Sequence, residues 1–192
     1  MLTANLANHS ALSSASWTFT TRHVDRTDVA TLSMHFAGAQ AGDLVLCEIL
    51  QVNQHRRLQL TAKRYKKSYV GDLLVACVGD RYAPDQFQGR AELSAERSHM
   101  LASGGVVGTV EYAHERMLEP TLVRPIGLLA DKRGAVINVS RYRLEPCAIP
   151  QELTVIGVFG ASMNAGKTTA ATSLAYGLSR AGYTVAAAKV TG

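Results

Sequence analysis

Apolar positions group into short runs set off by glycine turns, and the grouping changes character near residue 150. Leu44-Val45-Leu46-Cys47-Glu48-Ile49-Leu50 follows Gly42-Asp43, and Leu73-Leu74-Val75-Ala76-Cys77-Val78 follows Gly71-Asp72. Gly104-Gly105 introduces a third such run, Val106 to Val110. Runs of this length, bounded by turns, predict strands. The first two open on Gly-Asp-Leu 29 residues apart, a hint of a repeated strand unit. Trp17 to Thr21 has the aromatic and β-branched content of a strand. Arg57 to Thr61 alternates and is expected to pair with the Leu44 run. Thr121–Leu129 and Ala135–Val139 flank Asp131-Lys132-Arg133-Gly134 and predict a hairpin. Gly79 to Asp85 is a turn-rich connection. Ala91 to Leu101 is the best helix candidate of this half, and Asp28 to Phe36 fits a short helix or a strand equally. Residues 1–16 are rich in Ser, Ala and Asn without a period and predict a loose lead-in.

Residues 17–145 therefore predict a β-rich domain, a small barrel or a sandwich. The glycine-aspartate strand openings loosely resemble those of OB and double-psi barrels. Pro146 and Pro150 bracket an expected linker, 146–152. From residue 153 the pattern becomes strand, loop, helix, strand. Leu153 to Phe159 is one apolar run; Ala171, Leu174, Ala175 and Leu178 fall on one helical face; Thr184 to Gly192 begins a second strand. The expected fold class is α+β: the β-rich domain, then, over 153–192, the first βαβ unit of a P-loop α/β domain.

Between strand and helix stands Gly160-Ala161-Ser162-Met163-Asn164-Ala165-Gly166-Lys167-Thr168-Thr169. A polyphosphate needs consecutive backbone N–H groups, a helix N-terminus and a lysine that reaches its outer oxygens. A glycine-bounded loop ending in Gly-Lys-Thr supplies them, so these ten residues are the expected nucleotide-binding site. Five residues separate Gly160 from Gly166, one more than in the common Walker A loop. That spacing resembles the loop of dethiobiotin synthetase and the cobyrinic acid a,c-diamide synthases, over some 40 residues from Leu153 to Gly192. The resemblance implies ATP, or GTP as the alternative, with Mg²⁺. By it Lys167 contacts the β- and γ-phosphates and Thr168 holds the Mg²⁺. Lys189, ending the second run as a lysine does in those families, sits near the transferred phosphoryl group or its acceptor, a small-molecule substrate. Ser162, Met163 and Asn164 stand where dethiobiotin synthetase commonly has an acidic residue. A strand bearing a Walker B aspartate does not follow. The chain is thus expected to be a piece of a longer ATP-dependent ligase or synthetase, or to borrow the rest of its sheet from another chain, as a possible oligomer, with weak or absent hydrolysis by itself. The alternative is a nucleotide-gated module whose β-domain binds nucleic acid or a protein partner.

The remaining composition narrows the picture only slightly. Of 192 residues 47% are hydrophobic and 18% charged, which suits a globular chain with a true core. Net charge is +5. Cys47, Cys77 and Cys147 lie far apart without a C-x-x-C pair, against a disulfide framework and for a reducing compartment. With neither a signal-like N-terminus nor a long apolar stretch, the expectation is a cytoplasmic protein without a membrane span. The six histidines (9, 23, 35, 55, 99 and 114) show no metal-binding spacing. Asp80, Arg81 and Asp85 read as turn residues. Arg56, Arg57, Lys63, Arg64, Lys66 and Lys67 crowd into twelve residues beside Tyr65 and Tyr69, with no acidic residue between Ile49 and Gly71. That window reads as a solvated or intramolecular charged rim, with nucleic acid as the alternative partner.

Overall fold

The computed structural model describes residues 3–4, 9–148, 150, 152–161 and 165–189, and the chain divides into two units, Met1–Leu144 and Glu145–Gly192. The first unit is mostly strand. Its elements are β1 (Thr3–Ala4), α1 (His9–Ser14), β2 (Ser16–Trp17), β3 (Thr31–Ser33), β4 (Leu44–Gln51), β5 (Arg57–Gln59) and β6 (Tyr65–Lys67). There follow β7 (Leu73–Val78), β8 (Arg81–Tyr82), β9 (Phe87–Arg90), β10 (Ser98–Ala102), β11 (Val106–Ala113) and β12 (Leu122–Ala130).

β4 lies antiparallel between β12 and β7. β7 runs parallel to β11, β11 antiparallel to β10, and β10 antiparallel to β12. The hydrogen-bonded pairs thus lead from β12 through β4, β7, β11 and β10 back to β12. One apolar cluster draws on all five strands: Val45, Cys47 and Ile49 of β4, Leu74, Ala76 and Val78 of β7, Met100, Val107, and Val123 with Leu128. The opposite pleats, Leu44, Leu46, Val75 and Leu129, pack with Trp17, Leu32 and Ile137. Burial on both faces explains why β4 and β7 read as near-continuous apolar runs rather than alternating ones.

The two Gly-Asp-Leu openings are one local structure used twice. Gly42 and Gly71 have φ of +96° and +85°, and Asp43 and Asp72 each accept the backbone N–H three residues earlier, from Gln40 and Tyr69. The expected hairpin also forms: Ile137 N–H donates to Leu129, and Asp131 accepts from the N–H groups of Arg133 and Ala135 in the turn.

Several expectations are corrected. Ala91–Leu101 is not a helix; Ser94 and Ser98 bind backbone N–H groups locally, and residues 98–102 pair between two strands. Arg57–Gln59 does not pair with β4, whose two edges are taken by β7 and β12, but with β6. Only Ser16–Trp17 of the Trp17 segment is strand, because Thr18 and Thr21 hydroxyls donate to backbone carbonyls and draw Phe19–Thr21 into a 3-10 turn. Residues 28–36 contain β3, flanked by 3-10 turns. The N-terminal lead-in contains α1, from which Ala11 and Leu12 pack onto the Trp17 cluster.

In the second unit the helix is present, α2 (Lys167–Arg180). Gly182, at φ +93°, and the Tyr183 N–H donating to Leu178 end it as glycine C-caps do. The strands expected on either side carry no ladder among the described residues, 153–159 and 184–189. Leu153, Val155, Ile156 and Phe159 are exposed. Parallel strands are stable when neighbours pair both edges and helices cover both faces, and the described residues of this unit supply neither. No helix among the described residues is long and apolar enough to cross a membrane.

Candidate functional site

The ten-residue loop is built from the start of α2 backwards. Gly166 is the N-cap, at φ +79° and ψ +6°, and its carbonyl accepts the first helical bond from Ala170 at 2.9 Å. Lys167, Thr168 and Thr169 are the first three helical residues. N–H groups at this end of a helix have no partner four residues back and present a partial positive charge. No acidic side chain in the first turn offsets it.

The two ends of the loop also approach each other. A methyl on Gly160 would lie 2.8 Å from Cγ and 3.0 Å from Cδ of Lys167, and 3.3 Å from Cβ of Ala165. Gly160 therefore has to be glycine for the lysine stem to lie where it does. Lys167 is half-buried, while Thr168 and Thr169 are exposed. Ser162, Met163 and Asn164 lie outside the described residues. Lys189 is exposed, and no hydrogen bond or ion pair joins it to the loop among the described residues. Gly160, Ala165, Gly166, Lys167 and Thr168 are thus brought together, and Lys189 is not joined to them.

No family model matches the chain, and no curated protein or solved structure matches it either.

Elsewhere, His55, read from sequence only as one of six histidines without metal-binding spacing, stands out by its burial. It follows β4, is about nine-tenths buried, and its ring centroid lies 5.7 Å from that of Phe87. Burial, aided by the Arg81 guanidinium, pushes its pKa down to about 4, and its Nδ1 has no hydrogen-bond partner among the described residues. Thr121, fully buried, accepts the backbone N–H groups of Asn53 and His55 at 3.0 Å each and so pins this segment. Arg81 donates to the Leu101 carbonyl and to Gln86, and Asp80 accepts the Ala91 N–H, which are structural tasks. The twelve-residue basic window carried no hint in sequence of a buried neutral histidine beside it.

Among the described residues no cluster of three or more His, Cys, Asp or Glu could hold a metal ion. The loop itself offers the Thr168 hydroxyl, a hard oxygen donor of the kind Mg²⁺ takes together with nucleotide phosphates and water.

Proposed function

We propose that Gly160–Thr169 binds a nucleoside triphosphate, ATP in preference to GTP, through its loop amides and Lys167. The observation that carries this reading is the close approach of Gly160 to the Lys167 stem, which holds the lysine along the loop at the positive end of α2. In this reading Lys167 neutralises the β- and γ-phosphates, and the first-turn N–H groups of α2 bind their oxygens. Thr168 would hold Mg²⁺, which supplies charge neutralisation at the phosphates when bound. Lys189 is the candidate for the acceptor side of the transferred group. Such chemistry rests on positioning and electrostatics rather than on a protein nucleophile.

The runs flanking the loop are read as strand positions of a P-loop sheet, and the parent activity as that of a ligase or synthetase acting on a small molecule. The first unit is read as a small barrel, supported by the circuit of strand pairs from β12 back to β12 and by the apolar cluster those five strands share. Titration with ATP, GTP and AMP in Mg²⁺ tests the site. The triphosphates should bind and AMP should not; failure of both triphosphates at millimolar concentration removes the reading.

A further inference from the structure

The β5–β6 hairpin stands apart from the main sheet as a two-stranded ladder. Its register sets Arg57 opposite Lys67 and Gln59 opposite Tyr65, so Arg57, Lys67 and Tyr65 share one pleat, and all three are exposed. The other pleat carries Leu58, fully buried, and Lys66, which pairs with Asp72 at 3.3 Å and donates to Ser16. The cation that faces the protein is neutralised. The five others of the window, Arg56, Arg57, Lys63, Arg64 and Lys67, pair with no carboxylate among the described residues.

Like charges directly opposite each other destabilise an antiparallel pair. At the tip Lys63 has φ +62°, a left-handed position that hairpins of this length normally give to glycine. The Arg57–Lys67 opposition is the one an external anion relieves, since it is a repulsion of charges, whereas the Lys63 turn fixes the register that creates it. The Tyr69 ring lies beneath the Lys67 ammonium, 5.3 Å away, and Tyr65 and Tyr69 are both more than half exposed. At the hairpin base a cleft of about 300 Å³ is lined by Gln54, His55, Arg56, Arg57, Tyr65 and Ser103. His55 brings to it a buried ring whose Nδ1 is unpartnered among the described residues.

We propose that this outward face and its cleft bind single-stranded nucleic acid, with Arg57 and Lys67 on phosphates and Tyr65 and Tyr69 stacking on bases. Cations interleaved with aromatic faces are what a strand with accessible bases needs. The hairpin face itself, Arg57, Gln59, Tyr65 and Lys67, carries no aliphatic side chain of the kind that enters a lipid surface. The cleft is a shallow, open depression at the hairpin base where a base can lie against Tyr65 and polar side chains. The inference is independent of the nucleotide loop.

The test is fluorescence anisotropy of labelled oligothymidylate and oligouridylate, about twenty nucleotides long to exceed one site, with the full chain over a range of salt. The unmutated chain should bind with an affinity that falls steeply with salt. The double variant Arg57→Gln, Lys67→Gln should flatten the log–log slope by about 1.4, at ~0.7 per lost phosphate contact. Tyr65→Ala should weaken binding about tenfold and leave the slope unchanged. Removing the Arg57–Lys67 opposition should leave thermal unfolding unchanged or slightly raised, so that weaker binding is not lost folding, and Lys167→Ala should bind the oligonucleotides as the unmutated chain does. Binding unchanged in both hairpin variants overturns the inference. So does binding to phosphatidylserine vesicles with none to either oligonucleotide.

Discussion

Gly160 lies against the aliphatic stem of Lys167, so that a methyl on its Cα would sit 2.8 Å from the lysine Cγ. Seven residues apart in sequence, the two close the loop at the positive end of α2. Gly160→Ala should push the lysine stem aside while leaving the first unit untouched. ATP affinity should fall about tenfold, the worth of one charge-assisted hydrogen bond, with an unchanged circular dichroism spectrum. Calorimetric titration reads the first and spectroscopy the second.

Gly105 tests the β-rich unit in the same way. Its φ is +95°, and a methyl there would fall 1.9 Å from Oγ1 of Thr18, which is buried and donates to the Val75 carbonyl. Gly105→Ala should cost about 3–4 kcal/mol, from backbone strain and overpacking together. Gly71, at φ +85°, has nothing near its missing methyl, so Gly71→Ala should cost only about 1–2 kcal/mol, the backbone share alone. Urea midpoints at equal m-value compare the two.

Thr121 holds two backbone N–H groups in the buried segment before β5. Thr121→Val keeps the shape and removes the acceptor. Leaving both donors unmet should cost about 2–4 kcal/mol in urea unfolding, against less than about 1 kcal/mol for Thr121→Ser, which keeps the hydroxyl.

His55 gives the stability curve a direction in pH. Its folded pKa is pushed below the ordinary 6.5 to about 4, first by burial and then by Arg81. As pH falls below 6.5 the unfolded chain takes up the proton and the folded chain does not, so stability is complete above that pH and is lost down to about 4. From pH 7.5 to 5 the loss should reach about 2 kcal/mol from this residue. His99 is lowered as well, mainly by burial, and adds in the same sense. The difference between the unmutated chain and His55→Gln isolates the His55 share; parallel curves for the two would contradict it.

What could be read from sequence follows where local pattern suffices. The apolar runs of β4 and β7 and the Gly-Asp turns before them were legible because burial on both faces and a positive φ each leave a local mark. β10 was not, because Ser98-His99-Met100-Leu101 lacks alternation and is held as a strand by two neighbours distant in sequence. The start and end of α2 were legible from Gly166-Lys167-Thr168 and Gly182. The approach of Gly160 to Lys167 was not, since spacing says that a loop exists and not how closely its ends approach. Nor was the Arg57–Lys67 pairing, which depends on a turn that puts Lys63 where glycine is usual. At 153–159 and 184–189 no ladder accompanies the apolar runs, for the converse reason: such runs mark strand potential, and a ladder also needs partners.

The central claim is that Lys167 lies along a phosphate-binding loop, and isothermal titration of ATP with Mg²⁺ into the unmutated chain and Lys167→Ala tests it most directly. The expected result is saturable binding by the unmutated chain and a loss of about tenfold to a hundredfold in the variant, as befits a lysine on a polyphosphate. Equal affinity in the two proteins would contradict it.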